Sequence, residues 1–358
     1  MTETTGFFTP MTQKMVIAFG MGLLLSAAIG AFLVPFLRKI KAGQTIKDIG
    51  PNWHKSKEGT PTMGGLMFII ATAVAVLALS WPLTREGEWG HVFVLVFALI
   101  YGAIGFLDDY EKLKHKQNLG LTALQKFLLQ LAVAVAFIYL LRLFGLLHVS
   151  ETDIHCIDVY IPFWNTYFSV HEIVYVVCAA FIIVGTVNAV NITDGVDGLA
   201  TGTSLPVFLF YTALCFYWGR QFLGLGIFAA ALTGALLGFL AWNFNPAKVF
   251  MGDTGSLFLG GAVVAMAFAY DMPLILITLG IVFLIETLTD IIQVTVYKLT
   301  KDASGKGKRV FKMAPFHHHL EMGGWTGKKW KEKELFALYT FVSAVFAALS
   351  FYGVNARF

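Results

Sequence analysis

Long apolar runs separated by short polar stretches dominate the chain, and run length more than periodicity defines its elements. A helix of about 20 mostly apolar residues crosses a bilayer core. Ten segments reach or approach that length: roughly 16–37, 64–81, 91–107, 122–147, 168–187, 202–218, 222–244, 255–270, 272–297 and 335–354. The fifth, sixth and eighth have the shortest uninterrupted apolar stretches. An even number of spans puts both termini on the same side. The first run follows no charged leader and precedes no small-residue cleavage pattern, so it is expected to remain as a span. No internal repeat and no low-complexity tract is visible. The expectation is an all-α polytopic membrane protein, with residues 1–358 forming one domain.

Composition agrees. The chain is 57% hydrophobic and 13% charged, with a mean hydropathy of +0.71, whereas soluble domains carry about 25% charged residues. The three cysteines, Cys156, Cys178 and Cys215, have no metal-binding spacing and read as small buried hydrophobes.

Basic residues set the orientation, because cytoplasmic loops are enriched in Lys and Arg. With the N-terminus outside, the inner loops hold Arg38, Lys39, Lys41, Lys47, Lys55 and Lys57, then Lys112, Lys114 and Lys116, then Lys248, and finally the dense run from Lys298 to Lys333. Residues 143–219 contain no Lys or Arg but carry Glu151, Asp153, Asp158 and Glu172. Both termini are therefore expected outside, with five cytoplasmic loops forming the site.

Five aspartates then fall on the inner side, at the ends of apolar runs: Asp108 and Asp109 in FLDDYEKL, Asp194 and Asp197 in NAVNITDGVDGLA, and Asp253 in VFMGDTGS. An uncompensated carboxylate at bilayer depth costs roughly 2.5–3.5 kcal/mol, so such groups are expected to be functional. Acids converging at one membrane face suit a divalent cation and phosphate chemistry. Helical neighbours point about 100° apart, so Asp108 and Asp109 cannot chelate one ion symmetrically. One is expected to meet a metal or substrate while lysines hold the other. Asn188, Asn191 and Asp194 recur every three residues and line one helical face, with Asp197 following. Asp253 precedes the eighth span, which Thr254 and Ser256 are placed to cap.

His317, His318 and His319 lie in APFHHHLE near Arg309 and Lys312. Zinc helices place two His four apart, so the consecutive triplet suits an anionic substrate better. Lys57 and Thr62 sit at the start of the second span, beside Gly64 and Gly65. Glu286 and Asp290 are one turn apart in the ninth span, with Gln293 beyond them. The stretch GKGKRVFKM is expected to form a small hairpin or interfacial piece.

Together GTPTMGG, FLDDYEKL, NAVNITDGVDGLA, FNPAKVFMGDTGS and APFHHHLE resemble the phospho-N-acetylmuramoyl-pentapeptide transferases, a family of polyprenyl-phosphate N-acetylhexosamine-1-phosphate transferases. The likeness runs from about Lys55 to Glu321, and APFHHHLE favours this family over its GlcNAc-phosphate-transferring relatives. It implies ten spans, Mg2+, a homodimer in the bacterial cytoplasmic membrane with a cytoplasmic active site, and no nucleic-acid partner. The implied reaction moves phospho-MurNAc-pentapeptide from UDP-MurNAc-pentapeptide to the membrane lipid undecaprenyl phosphate, giving lipid I and UMP. By motif, Asp253 resembles the metal ligand and Asp108 the base toward the lipid phosphate, with Asp109 beside it. Lys57, Thr62, Asn188, Asn191, Asp194, Asp197, Asn243, Phe250, Gln293 and His317–His319 resemble substrate-site positions.

Two other readings compete: a related transferase using another UDP-sugar, and an ion-coupled transporter. Transporters bind near the bilayer midplane, often at broken helices. Here the acids cluster at span ends, and Arg142, Glu286 and Asp290 are the charges more than four residues inside the ten segments.

Overall fold

The computed structural model describes residues 10–40, 59–115, 120–151, 153–354 and 357. The apolar runs form helices α1 (Pro10–Lys39), α2 (Leu66–Arg85), α3 (Gly90–His115), α4 (Ala123–Leu143), α5 (Glu172–Thr193), α6 (Leu199–Trp218), α7 (Leu223–Asn243) and α8 (Gly252–Ala269). They continue with the short α9 (Leu276–Leu279), α10 (Ile281–Leu299), the short α11 (Phe316–Glu321) and α12 (Glu332–Val354). Among the described residues nine helices are long and apolar enough to cross a membrane, and a tenth span results if the two parts of the ninth segment count as one. Those parts, Pro273–Leu279 and Ile281–Leu299, meet at 81°. The break falls at Gly280, a weak helix former. Beyond it α10 buries Val282, Phe283, Glu286 and Thr289 while Ile285, Leu288, Ile291 and Ile292 stay exposed.

α7 and α8 form the centre and are buried along almost their whole length. α1 packs on α7, and α3 and α5 pack on α8. Small residues permit this closeness, as in other membrane bundles; a Cβ on Gly234 of α7 would lie on the Phe19 carbonyl of α1. With 26 residues, α3 is about 39 Å long at 1.5 Å per residue, longer than a hydrocarbon core of about 30 Å. A layer of that thickness beginning at Gly90 would end near Asp109, leaving the polar turn from Tyr110 to His115 beyond it.

The segment expected to be an outer loop contains an antiparallel hairpin, β1 (Cys156–Ile161) and β2 (Thr166–His171), in register from Cys156 opposite His171 to Ile161 opposite Thr166. The fifth helix therefore starts at Glu172 instead of 168, with the His171 ring accepting from the Ile173 N–H. CIDVYI alternates polar and apolar residues, and the intervening turn holds Phe163 and Asn165 at positive φ. That is a strand pattern, which averaging over apolar run length conceals. The cysteines divide: Cys215 is buried, Cys156 half-buried and Cys178 exposed on α5. The GKGKRVFKM stretch forms neither strand nor helix; a turn at Asp302 leads into backbone held by α10.

Candidate active site

Asp108, Asp109 and Asp253 each bring a carboxylate oxygen within 4.8 Å of the other two. The approach of α3 to the start of α8 makes this possible. Gly105 packs so tightly there that a Cβ would overlap the Asp253 carbonyl.

The adjacent pair diverges, as helical geometry requires. Asp109 is fully buried and accepts from the Thr254 N–H (2.9 Å), the Thr254 hydroxyl (2.7 Å) and the Asp253 N–H (3.3 Å). The cap for α8 thus comes from α3, and Thr254 serves as a donor to it; amides at a helix start favour an anion there. Asp108 turns instead to the Leu121 N–H (2.9 Å) and the Lys112 ammonium (2.5 Å). Lys112 also reaches Asp253 at 2.7 Å, and Lys126 reaches the same carboxylate at 3.1 Å. Asn191 donates to the other Asp253 oxygen and to the Ser256 hydroxyl, both at 2.7 Å.

Lys126 escaped the reading of the sequence. Its signal was available: an ammonium one turn inside an apolar run requires a partner. Two lysines face three carboxylates, so negative charge is left over. The donors are all hard oxygens, a set that suits Mg2+ better than zinc.

The face of Asn188, Asn191 and Asp194 separates in function. Asn188 bonds Gln130 of α4 at 2.6 Å and its own helix at Val184, bracing α4 against α5. Asp194 is the C-cap of α5. Burial, then the fields of Asp253, Asp109 and Asp197, raise its pKa well above the usual carboxylate range. Asp197 accepts from Asn245 and the Ala247 N–H, while Asn243 accepts from the Gly198 N–H and donates to the Val249 carbonyl. These two residues fix the loop that presents Phe250. Backbone bonds from Phe250 to Pro61 and from Gly64 to Phe250 set the 61–65 segment alongside. Thr62 thereby comes beside Gly252 and Asp109, and its buried hydroxyl has no partner among the described residues. Lys57 lies outside the described residues.

The three histidines are held individually. His317 is buried, with Nδ1 at 2.8 Å from Glu286. Glu286 is also bonded to the Tyr339 hydroxyl. His318 Nδ1 lies 2.7 Å from Glu321. His319 Nδ1 accepts from the Lys312 N–H, and burial and then Lys312 lower its pKa. The Nε2 atoms of His317 and His319 have no partner among the described residues. His317 Nε2 rests on Gly195, where a Cβ would strike it, so it borders the Asp194 turn. Gln293 accepts from the Val310 and Phe311 N–H groups and anchors the loop that leads to the triplet.

This site combines a membrane-spanning bundle with carboxylates and lysines at one end, and the glycosyl transferase family 4 profile matches residues 91–271. A phospho-N-acetylmuramoyl-pentapeptide-transferase signature matches residues 57–69. Proteins of that name are similar over nearly the whole chain: 41% identity in Clostridium botulinum (strain Eklund 17B / Type B), over 92% of this chain and 94% of that one. The relative in Clostridium beijerinckii is 43% identical over 92% and 94%, and that in Geobacillus thermodenitrificans 42% over 95% and 98%. The chain belongs to the phospho-N-acetylmuramoyl-pentapeptide transferase family.

Proposed function

We propose that this protein transfers phospho-MurNAc-pentapeptide from UDP-MurNAc-pentapeptide to undecaprenyl phosphate, releasing UMP and forming lipid I, at the cytoplasmic face of a bacterial membrane. The observation that carries the reading is the convergence of Asp108, Asp109 and Asp253 with Lys112 and Lys126 at one end of the bundle. A homodimer is proposed on the family resemblance.

An acceptor phosphate oxygen attacks the sugar-bearing phosphorus of the donor. The bond from that phosphorus to the bridging oxygen breaks, and UMP leaves with that oxygen. Both partners are anionic, so positioning and charge neutralisation dominate such transfers. Lys112 and Lys126 supply cations beside the acids. Asp253, with Asp108 next to it, would hold Mg2+, which when bound neutralises phosphate oxygens. Asp108 takes any remaining proton from the acceptor phosphate. Asp109, saturated by α8 amides and a hydroxyl, positions Asp253. Asn191 keeps the Asp253 carboxylate oriented. Thr62, Asp194, Phe250 and the histidine triplet are assigned to the donor's binding site, with Phe250 facing the uracil.

A lipid acceptor is supported by an apolar groove of about 330 Å³ at the bend of the ninth segment, lined by Phe181, Ala189, Leu276, Ile277, Phe283 and Ile291. Phe181, Gly185 and Ala189 line it at four-residue intervals, so the groove runs along one face of α5.

The test is UMP release by purified protein given undecaprenyl phosphate with either UDP-MurNAc-pentapeptide or UDP-GlcNAc. Turnover confined to the first donor is expected. Preference for UDP-GlcNAc, or release without the lipid acceptor, would contradict the assignment.

A further inference from the structure

A second cavity, about 650 Å³, opens between α10 and the loop before the histidines. Its lining includes Lys298, Lys301, Arg309 and Lys312, with Asp290 as its one acid and Gln293 between them. Basic residues on an inner loop are common in membrane proteins and by themselves indicate only orientation. Here four cationic side chains share one concavity against a single carboxylate, in a volume typical of small-ligand sites.

Its position relative to the acids is fixed by contacts. The Gln293 side chain holds the Val310 and Phe311 amides, and the Lys312 N–H donates to His319. His317 packs on Gly195, next to Asp194, whose N–H donates to the Asn191 carbonyl, and the Asn191 side chain donates to Asp253. A ligand with its diphosphate at Asp253 and its sugar beside His317 would therefore enter the cavity with whatever the sugar carries. A peptide attached through its amino end leaves a carboxylate at its far end. Five extended residues span about 17 Å.

We propose that this cavity recognises the carboxyl-terminal part of the donor's peptide, with Lys301 and Arg309 pairing to its carboxylate. The inference rests on the donor assigned above. Arg suits such a role because its planar guanidinium meets a carboxylate with two parallel hydrogen bonds. The recognition is electrostatic and half-open to solvent, so it adjusts KM more than kcat.

The test compares UDP-MurNAc-pentapeptide with the same donor ending in a carboxamide, using the wild-type protein, the Lys301→Ala/Arg309→Ala double variant and Arg309→Lys. For the acid donor the double variant should raise KM about tenfold, in the range of two partly exposed ion pairs, with kcat little changed. The carboxamide donor should already have a raised KM in the wild type, unaltered by the substitutions, and Arg309→Lys should restore part of the loss. An equal KM rise for both donors, a rise only for undecaprenyl phosphate, or no rise would overturn the proposal while leaving the reaction intact. No turnover by the wild type with either donor would instead overturn the reaction assignment, and this inference with it.

Discussion

Asp253 and Asp271 bracket the same helix, one in the first turn of α8 and the other just beyond its last residue, and their surroundings differ in kind. Asp271 has a dedicated partner: the Arg357 guanidinium bonds it at 3.1 Å, donates to the Tyr270 carbonyl at 2.6 Å and lies 4.4 Å from the centre of the Tyr160 ring. Burial still lifts the Asp271 pKa to about 6, so desolvation outweighs the ion pair there. Asp253 instead shares Lys112 with Asp108 and takes Lys126 and Asn191 from other helices, in a cluster where carboxylates outnumber ammonium groups. A closed pair joins elements; a surplus of aligned carboxylates keeps capacity for a cation and is unfavourable without one. The comparison assigns structure to one end of α8 and chemistry to the other.

The sharpest challenge to that division is Asp108→Asn. Loss of the group that readies the acceptor should lower kcat about 10³-fold, within the range of general-base contributions, and most at acidic pH where the acceptor phosphate holds a proton. Full kcat across acidic pH would remove Asp108 from that role. Arg357→Ala probes the other end. Breaking a largely buried ion pair should cost about 3 kcal/mol, read as a lower Tm in detergent, while turnover per folded molecule is unchanged. A loss of turnover without a loss of Tm would contradict the assignment.

Gly195→Ala should have a smaller effect. The added methyl pushes His317 away from the Asp194 turn, and about a tenfold fall in kcat/KM with the UDP-sugar is expected, since small misplacements are costly in positioned sites. Unchanged kinetics would exclude His317 from the donor site.

Asp194→Asn is the mildest change. The folded protein holds the Asp194 proton more tightly than the unfolded chain does, so its contribution to stability is present below the unfolded pKa and lost as pH rises toward the folded one. The variant should match the wild type at low pH and exceed it by about 2 °C in Tm near neutrality. A Tm difference that does not change with pH would refute the cause.

Much of this was legible in the chain because it depends on local order. Apolar run length placed the helices, and polar residues at run ends marked Asp108, Asp109, Asn191 and Asp253. Pairings between distant elements were not legible. The aspartate that caps α8 lies in α3, Asn188 faces α4 instead of the acids, and Asp197 and Asn243 tie down the loop carrying Phe250. Helical spacing states which side chains share a face, not what approaches that face. The hairpin was obscured because its strands are short and the end of β2 merges into the neighbouring apolar run. The bend at Gly280 depends on packing around one weak helix former.

Metal binding by the two ends of α8 is the most direct test, with Mn2+ as a paramagnetic stand-in for Mg2+ followed by electron paramagnetic resonance in purified protein. The wild type should bind the ion tightly, Asp253→Asn should abolish that binding and Asp271→Asn should leave it intact. Binding undiminished by Asp253→Asn, or lost with Asp271→Asn, would contradict the account.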